Sequence, residues 1–151
     1  ADYNIYAPVD GKSIALDSVE DQVFASKMLG DGIAFQLDGN KVCSPCNGTI
    51  TTIADTKHAF GIKMENGMEV LVHVGLNTVN LKGEGFTALK KVNDKVNPGD
   101  TILELDLDFM KEQQINLTTP VIIANDNGCE FKIAQPGQNV KAGEDEVIVV
   151  S

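Results

Sequence analysis

The sequence predicts an all-β protein: an antiparallel β-sandwich or barrel with a duplicated β motif and one or two short helical turns at its periphery. Three observations carry this reading. Short runs rich in Val and Ile recur roughly every eight to fifteen residues, the spacing of sandwiches and barrels. Turn-forming pairs with Gly separate them. Apolar residues at helical spacing are confined to two short stretches.

Taken in order, the first strong run is Ile33–Leu37, which follows the Asp10-Gly11 turn and is closed by Asp38-Gly39-Asn40. Val42–Ile53 comes next and contains Asn47-Gly48; Phe60–Met64 and Val70–Val74 then flank Asn66-Gly67. Pro98-Gly99-Asp100 introduces Thr101–Leu105, Val121–Ala124 runs up to Asn127-Gly128, and Val147–Val150 follows the turn at Pro136-Gly137. A helical turn is expected within Asp17 to Met28, with Val19, Val23 and Phe24 inward, and another over Leu107 to Gln114 behind the cap residue Asp106. Two echoes suggest duplication. Val96-Asn97-Pro98-Gly99-Asp100 resembles Val140-Lys141-Ala142-Gly143-Glu144, and Pro8-Val9-Asp10-Gly11 resembles Pro45-Cys46-Asn47-Gly48.

The chain has 151 residues, 42% hydrophobic and 23% charged, without a low-complexity stretch or linker, so one domain over 1–151 is expected. A net charge of -10 opposes binding to nucleic acid or to an anionic membrane. The longest apolar stretch, Val70 to Leu76, is interrupted by His73 and is far shorter than the roughly 20 residues of a spanning helix. The start, Ala1-Asp2-Tyr3-Asn4, has neither a basic nor an apolar leader segment, and a cytoplasmic location is expected. All twelve basic residues are Lys, which excludes an arginine finger or a bidentate Arg clamp on phosphate.

His58 and His73 are the only imidazoles. If Asn66-Gly67 forms a two-residue hairpin turn, Glu65 faces Met68, Phe60 faces His73 and His58 faces Gly75. Period-two alternation then puts His58, His73 and Thr56 on one face, with the two histidine Cα atoms roughly 7–8 Å apart. A four-residue loop centred at the same point would leave this pairing unchanged, whereas a loop of odd length would shift it and could split the face. A paired arrangement suits a nucleophilic imidazole beside one that donates a hydrogen bond, with Thr56 holding the neighbour's tautomer. Zinc chemistry is disfavoured because His73-Val74-Gly75 lacks a His-x-His partner, and no Gly-x-Ser-x-Gly elbow supports acyl transfer. Phosphoryl transfer through a phosphohistidine remains.

The strings Thr56-Lys57-His58-Ala59-Phe60, Glu69-Val70-Leu71-Val72-His73-Val74-Gly75 and Asn77-Thr78-Val79-Asn80-Leu81-Lys82-Gly83-Glu84-Gly85-Phe86 carry a family resemblance. Val23-Phe24-Ala25, Gly30-Asp31-Gly32-Ile33-Ala34 and Leu117-Thr118-Thr119-Pro120-Val121 extend it over nearly the whole chain. The chain resembles the glucose-specific IIA components of the bacterial phosphoenolpyruvate-dependent sugar phosphotransferase system. The resemblance implies an antiparallel sandwich with a shallow apolar depression around the histidines. It implies that His73 accepts a phosphoryl group from the phosphohistidine of HPr and passes it to a cysteine of the IIB domain of a sugar permease. His58 is then the assisting imidazole and Thr56 its hydrogen-bond partner. His73 is expected to attack through Nε2 while a backbone carbonyl holds the proton on Nδ1. No cofactor and no metal are implied, since the phosphoryl group is carried transiently on histidine. The implied partner face comprises Asp21, Val23, Phe24, Met28, Leu29, Leu71, Asn77 and Val79. Asn77 departs from a frequent acidic residue and Ala54 from a frequent aromatic, which weakens electrostatic steering rather than the chemistry.

Three other readings are open to test. Cys43-Ser44-Pro45-Cys46 spells C-x-x-C, the mark of a dithiol or half a zinc site, but no second such pair follows, and two small buried side chains are the simpler expectation. A binding module for regulatory proteins, gated by phosphorylation of the histidine face, is compatible with the carrier. A carrier of lipoyl or biotinyl groups would need a modified Lys within a specific hairpin motif, which neither Lys90 nor Lys95 has.

Overall fold

The computed structural model describes residues 2–151. The chain begins with β1 (Ile5–Tyr6), β2 (Gly11–Ala15) and β3 (Asp31–Leu37). It continues through β4 (Lys41–Cys43), β5 (Gly48–Ile53), β6 (Ala59–Lys63), β7 (Glu69–His73), β8 (Phe86–Ala88), β9 (Lys95–Val96) and β10 (Thr101–Leu105). It ends with β11 (Thr119–Asn125), β12 (Phe131–Ile133), β13 (Asn139–Val140) and β14 (Glu146–Val150). An eight-stranded sheet has the order β13-β2-β3-β11-β7-β6-β5-β9, and two three-stranded sheets have the orders β1-β14-β12 and β4-β10-β8. Neighbouring strands are antiparallel throughout.

The strand order contains the duplication. Putting β4 to β10 in turn for β1, β2, β3, β11, β12, β13 and β14 converts one small sheet into the other and one half of the large sheet into its second half. One copy is therefore inserted between β3 and β11 of the other. The halves meet along β7 and β11, where Val72 pairs with Val121. Both sequence echoes fall at matching places: Pro8–Gly11 leads into β2 and Pro45–Gly48 into β5, while the two Val-x-x-Gly-acid turns lead into β10 and β14. Those two turns pack against each other. A Cβ on Gly143, whose φ is 72°, would lie 2.5 Å from the Gly99 Cα and 2.8 Å from its nitrogen. Gly143→Ala is expected to cost about 1–3 kcal/mol, seen as a lower urea midpoint at unchanged slope, because both the left-handed φ and the backbone contact oppose a side chain.

The main core lies between the large sheet and the two small ones. Phe35 and Phe60 from the large sheet are fully buried with Ile5 and Ile148 from one small sheet and Val42 and Leu103 from the other. Burial of each such side chain contributes roughly 1.5–3 kcal/mol. A smaller cluster covers part of the opposite face, where Leu16, Val19 and Phe24 from the β2–β3 connection close over Ala34, Leu76 and Ile122.

That connection is less helical than its spacing predicts. A 3₁₀ turn occupies Leu16–Ser18 and α1 only Gln22–Ala25, capped by the Asp21 carboxylate, which accepts from the Val23 N–H at 2.9 Å. Val19 and Phe24 point inward as expected, but Val23 is exposed. A helix this short is held by tertiary packing rather than by its own hydrogen bonds, so periodicity overstates it. The second helix, α2 (Leu107–Glu112), starts after the Asp106 cap as expected and ends two residues sooner, at Glu112, before Gln114 takes φ 56°. The Val42–Ile53 run divides into β4 and β5 at Ser44–Asn47, and the short strands β1, β2, β8, β9, β12 and β13 carry too little apolar sequence to stand out.

The β6–β7 hairpin is one residue out of the expected register. Ala59 pairs with His73 and Phe60 with Val72. The Gly67 N–H donates to the Met64 carbonyl at 3.0 Å and the Met64 N–H to the Met68 carbonyl at 2.8 Å. The loop thus has three residues, Glu65-Asn66-Gly67, with Gly67 at φ 88° and Asn66 not left-handed. A two-residue type I′ turn needs positive φ at both positions. The Asn66 side chain instead accepts from the Met68 N–H at 3.1 Å, and Asn127 from the β11–β12 hairpin donates to the Asn66 carbonyl at 3.0 Å.

Candidate active site

His73 is the last residue of β7, on the face that also carries Leu71, while Val70 and Val72 face the main core. In the observed register, strict alternation would send His58 to the core side. His58 escapes because it precedes β6. The Lys57 N–H donates to the Ala54 carbonyl at 2.8 Å and Lys57 takes φ 59°, so the chain has left the pleat before it reaches His58. The two rings meet edge to face, with centroids 4.9 Å apart and planes at 75°. An odd loop therefore shifts the register without separating the imidazoles.

Each ring has one nitrogen occupied. His73 Nδ1 lies 2.8 Å from the Gly75 carbonyl oxygen, which can only accept, so Nδ1 carries the hydrogen and Nε2 has the free lone pair. His58 Nδ1 lies 2.6 Å from the Thr56 hydroxyl; with the hydroxyl donating, Nε2 of His58 carries the hydrogen and can donate outward. Phe24 packs against the His73 ring, centroids 4.9 Å apart, and is itself only 4% exposed. Burial pushes His73 below the ordinary imidazole range, and the neighbouring His58 pushes it further; the Gly75 hydrogen bond and the Asp21 charge act the other way. Burial also lowers His58. Both rings are therefore neutral at pH 7, as a nitrogen nucleophile and a neutral donor must be.

The sign of the pH dependence follows. Lowered values mean that the unfolded chain binds protons more readily, so this stabilisation is present above the ordinary pKa of about 6.5 and is lost as pH falls through the lower folded values. Ring NMR titration is expected to place His73 below 6.5. It should rise in His58→Gln, which removes a like-charge neighbour; an unchanged or lower value there would contradict the pairing.

Of the residues expected to make an apolar rim, Val23, Met28, Leu29 and Val79 are exposed, at 43%, 77%, 43% and 51%. Phe24 and Leu71, expected on that rim, sit behind it: Phe24 is buried core and Leu71 is half-buried against the smaller cluster. Asp21 is half-buried and its carboxylate caps α1, while Asn77 is exposed at φ 59° before the 3₁₀ turn Thr78–Leu81. Sequence reasoning missed Gly75 as the source of the carbonyl on Nδ1. A Gly two residues beyond a strand-end histidine, here at φ 78°, is the signal that could have found it.

Other chemistry finds no support in this geometry. Cys43 and Cys46 are buried free thiols, and burial raises both, Cys46 to about 12, away from the thiolate that redox or metal chemistry requires. Among the described residues no group of three or more His, Cys, Asp or Glu is placed to hold a metal ion, and no helix is long and apolar enough to cross a membrane.

Residues 3–129 match the family model described as phosphoenolpyruvate-dependent sugar phosphotransferase system, EIIA 1. The chain is 42% identical over 146 residues to the PTS system glucose-specific EIIA component of Halalkalibacterium halodurans, covering 97% of this chain and 84% of the relative. It is 40% identical over 146 residues to the PTS system glucose-specific EIICBA component of Staphylococcus carnosus, of which it spans 21%. Among solved structures, glucose permease IIA from Mycoplasma capricolum superposes with a TM-score of 0.89 at 39% identity, covering 96% of this chain and 94% of that one. With the family model matching most of its length and the fold agreeing over 96% of the chain, this chain belongs to the EIIA 1 family of the phosphoenolpyruvate-dependent sugar phosphotransferase system.

Proposed function

We propose that this protein is a phosphocarrier of the sugar phosphotransferase system, that His73 Nε2 takes the phosphoryl group from the phosphohistidine of HPr, and that a IIB cysteine of a sugar permease receives it. The observation that carries the reading is the neutral His73, its Nδ1 hydrogen held by Gly75 and its Nε2 free beside the His58 ring. The lone pair of Nε2 forms an N–P bond as the P–N bond to the donor imidazole breaks and that electron pair returns to the donor ring. In the second half-reaction a IIB thiolate attacks phosphorus in line and His73 leaves with its pair. The His58 Nε2–H, its tautomer set by Thr56, donates to an equatorial oxygen in both steps.

The absence of Arg suits a carrier, since a tight phosphate clamp would stabilise the loaded state rather than the transition state. Phosphorylation adds about 1.5 to 2 negative charges beside Val23, Met28, Leu29 and Val79, which favours release of an apolar partner once the group has arrived. The A, B and C parts named together in the Staphylococcus carnosus relative support a IIB acceptor. A cytoplasmic setting accords with three free cysteines. Intact mass after mixing with phosphoenolpyruvate, enzyme I and HPr is the test. One acid-labile phosphoryl group is expected; no gain despite phosphorylated HPr would reject the carrier.

A further inference from the structure

Both imidazoles depend on one short piece of backbone. The Val74 N–H donates to the His58 carbonyl at 2.7 Å, which places His58, and the Gly75 carbonyl takes the His73 Nδ1 hydrogen at 2.8 Å, which places His73. Between them lie the peptide units of Val74, Gly75 and Leu76, just beyond the end of β7, where the sheet ladder no longer holds the chain. Something else must hold it.

Two contacts do. The Leu76 N–H, on the same peptide unit as the Gly75 carbonyl, donates to the Asn116 carbonyl at 2.9 Å. That peptide is thus hydrogen-bonded at both ends, which polarises the carbonyl toward the imidazole. The preceding peptide is held by Thr78, which is fully buried and whose hydroxyl donates to the Val74 carbonyl at 2.6 Å. The Thr78 methyl fills the space that a side chain on Gly75 would need, 2.5 Å from where its Cβ would stand, so Gly75 keeps its φ of 78° against a fitted wall. A buried hydroxyl that donates at this spot ties the turn in addition to the His73 imidazole's own bond to Gly75.

We propose that Thr78 is the positioning residue for the histidine pair: its hydroxyl clamps the Val74–Leu76 backbone, whose N–H holds His58 and whose carbonyl fixes the His73 tautomer. This rests on the phosphocarrier reading of the site. In Thr78→Val the shape is nearly kept but the Val74 carbonyl loses its donor, so the Val74–Gly75 peptide is held less firmly while the Leu76 N–H stays on the Asn116 carbonyl. In Thr78→Ser the hydroxyl is kept and only the methyl is lost.

The test reads the His73 ring nitrogens by ¹⁵N NMR in the unphosphorylated protein and, separately, the rate of phosphoryl acceptance from phospho-HPr. Wild type and Thr78→Ser are expected to show Nδ1–H on His73. Thr78→Val is expected to show a mixture, with kcat lower by about 10- to 100-fold and KM for phospho-HPr unchanged, since the rim is untouched. A wild-type tautomer and rate in Thr78→Val overturns the proposal. Should that variant not fold, Thr78→Ser decides alone, because a tautomer shift despite the retained hydroxyl overturns it equally. Failure of wild type to accept phosphate, with its tautomer intact, counts against the phosphocarrier and not against Thr78.

Discussion

His73→Gln is expected to abolish phosphoryl acceptance, with the rate falling by at least about 10⁴-fold. A carboxamide has nearly the length of imidazole and can donate to the Gly75 carbonyl as Nδ1 does, so the β7 end and the fold should persist. What it lacks is a nucleophilic nitrogen, because the amide lone pair is delocalised into the carbonyl. His58 is not a substitute. Its Nδ1 is occupied by the Thr56 hydroxyl, and with that hydroxyl donating its Nε2 carries the hydrogen, which leaves no free lone pair on the ring. Intact mass under conditions that fully phosphorylate wild type is the measurement, with circular dichroism and a thermal midpoint to show folding. A phosphoryl group on the variant at the wild-type rate would remove His73 from the proposed role.

His58→Gln should separate the two half-reactions. Onward transfer to a IIB cysteine is expected to slow by about 10²–10³-fold, the usual effect of losing one hydrogen-bond donor aimed at developing charge. Acceptance should slow much less. The asymmetry has a physical cause: in acceptance both nitrogens exchanging the group are neutral imidazoles, whereas onward transfer brings a thiolate against a dianionic phosphoryl group, and a donor that offsets this charge matters most there. Gln keeps a donor, yet on a flexible chain that Thr56 no longer orients. Quench-flow measurement of each half-reaction with purified partners decides it. Equal slowing of both would mean that His58 holds His73 in place instead of stabilising the moving group.

The candidate site was legible in unusual detail for a reason that lies in composition. Two imidazoles in 151 residues, on runs that flank an Asn-Gly pair, leave few arrangements, and the absence of Arg and of third ligands removes the main competing chemistries. The register was not legible. Asn66-Gly67 has the local chemistry of a two-residue turn, but the three-residue loop that forms is also braced by a hydrogen bond from Asn127, which lies 61 residues further along the chain. The same holds for the rim. Phe24 and Val23 are adjacent and equally apolar, and only the packing of the β2–β3 connection over Ala34 and Ile122 sends one into the core and leaves the other exposed.

The pseudo-twofold relation explains why there is one site and not two. At the β7–β11 axis, where Val72 faces Val121, the position related to His73 is Ile122. The β2–β3 connection, with Leu16, Val19 and Phe24, is long enough to bury Ile122, whereas the short β5–β6 connection leaves the His73 side open and supplies Thr56 and His58. Phe24 serves both sides, as core over Ile122 and as a wall against His73.

By itself, the sequence determined the fold class and the duplication, and it picked out the two imidazoles and Thr56 as the candidate site. These are matters of composition, period and local turn preference, which short-range sterics and burial impose on any chain that carries them. Tertiary structure alone decided the hairpin register, the route by which His58 reaches His73, the carbonyl that sets the tautomer and the side chains that form the rim. Each of these depends on a contact between segments distant in sequence, such as Asn127 with Asn66, Asn116 with Leu76 and Phe24 with His73, and no local preference encodes which of two equally apolar neighbours will be covered.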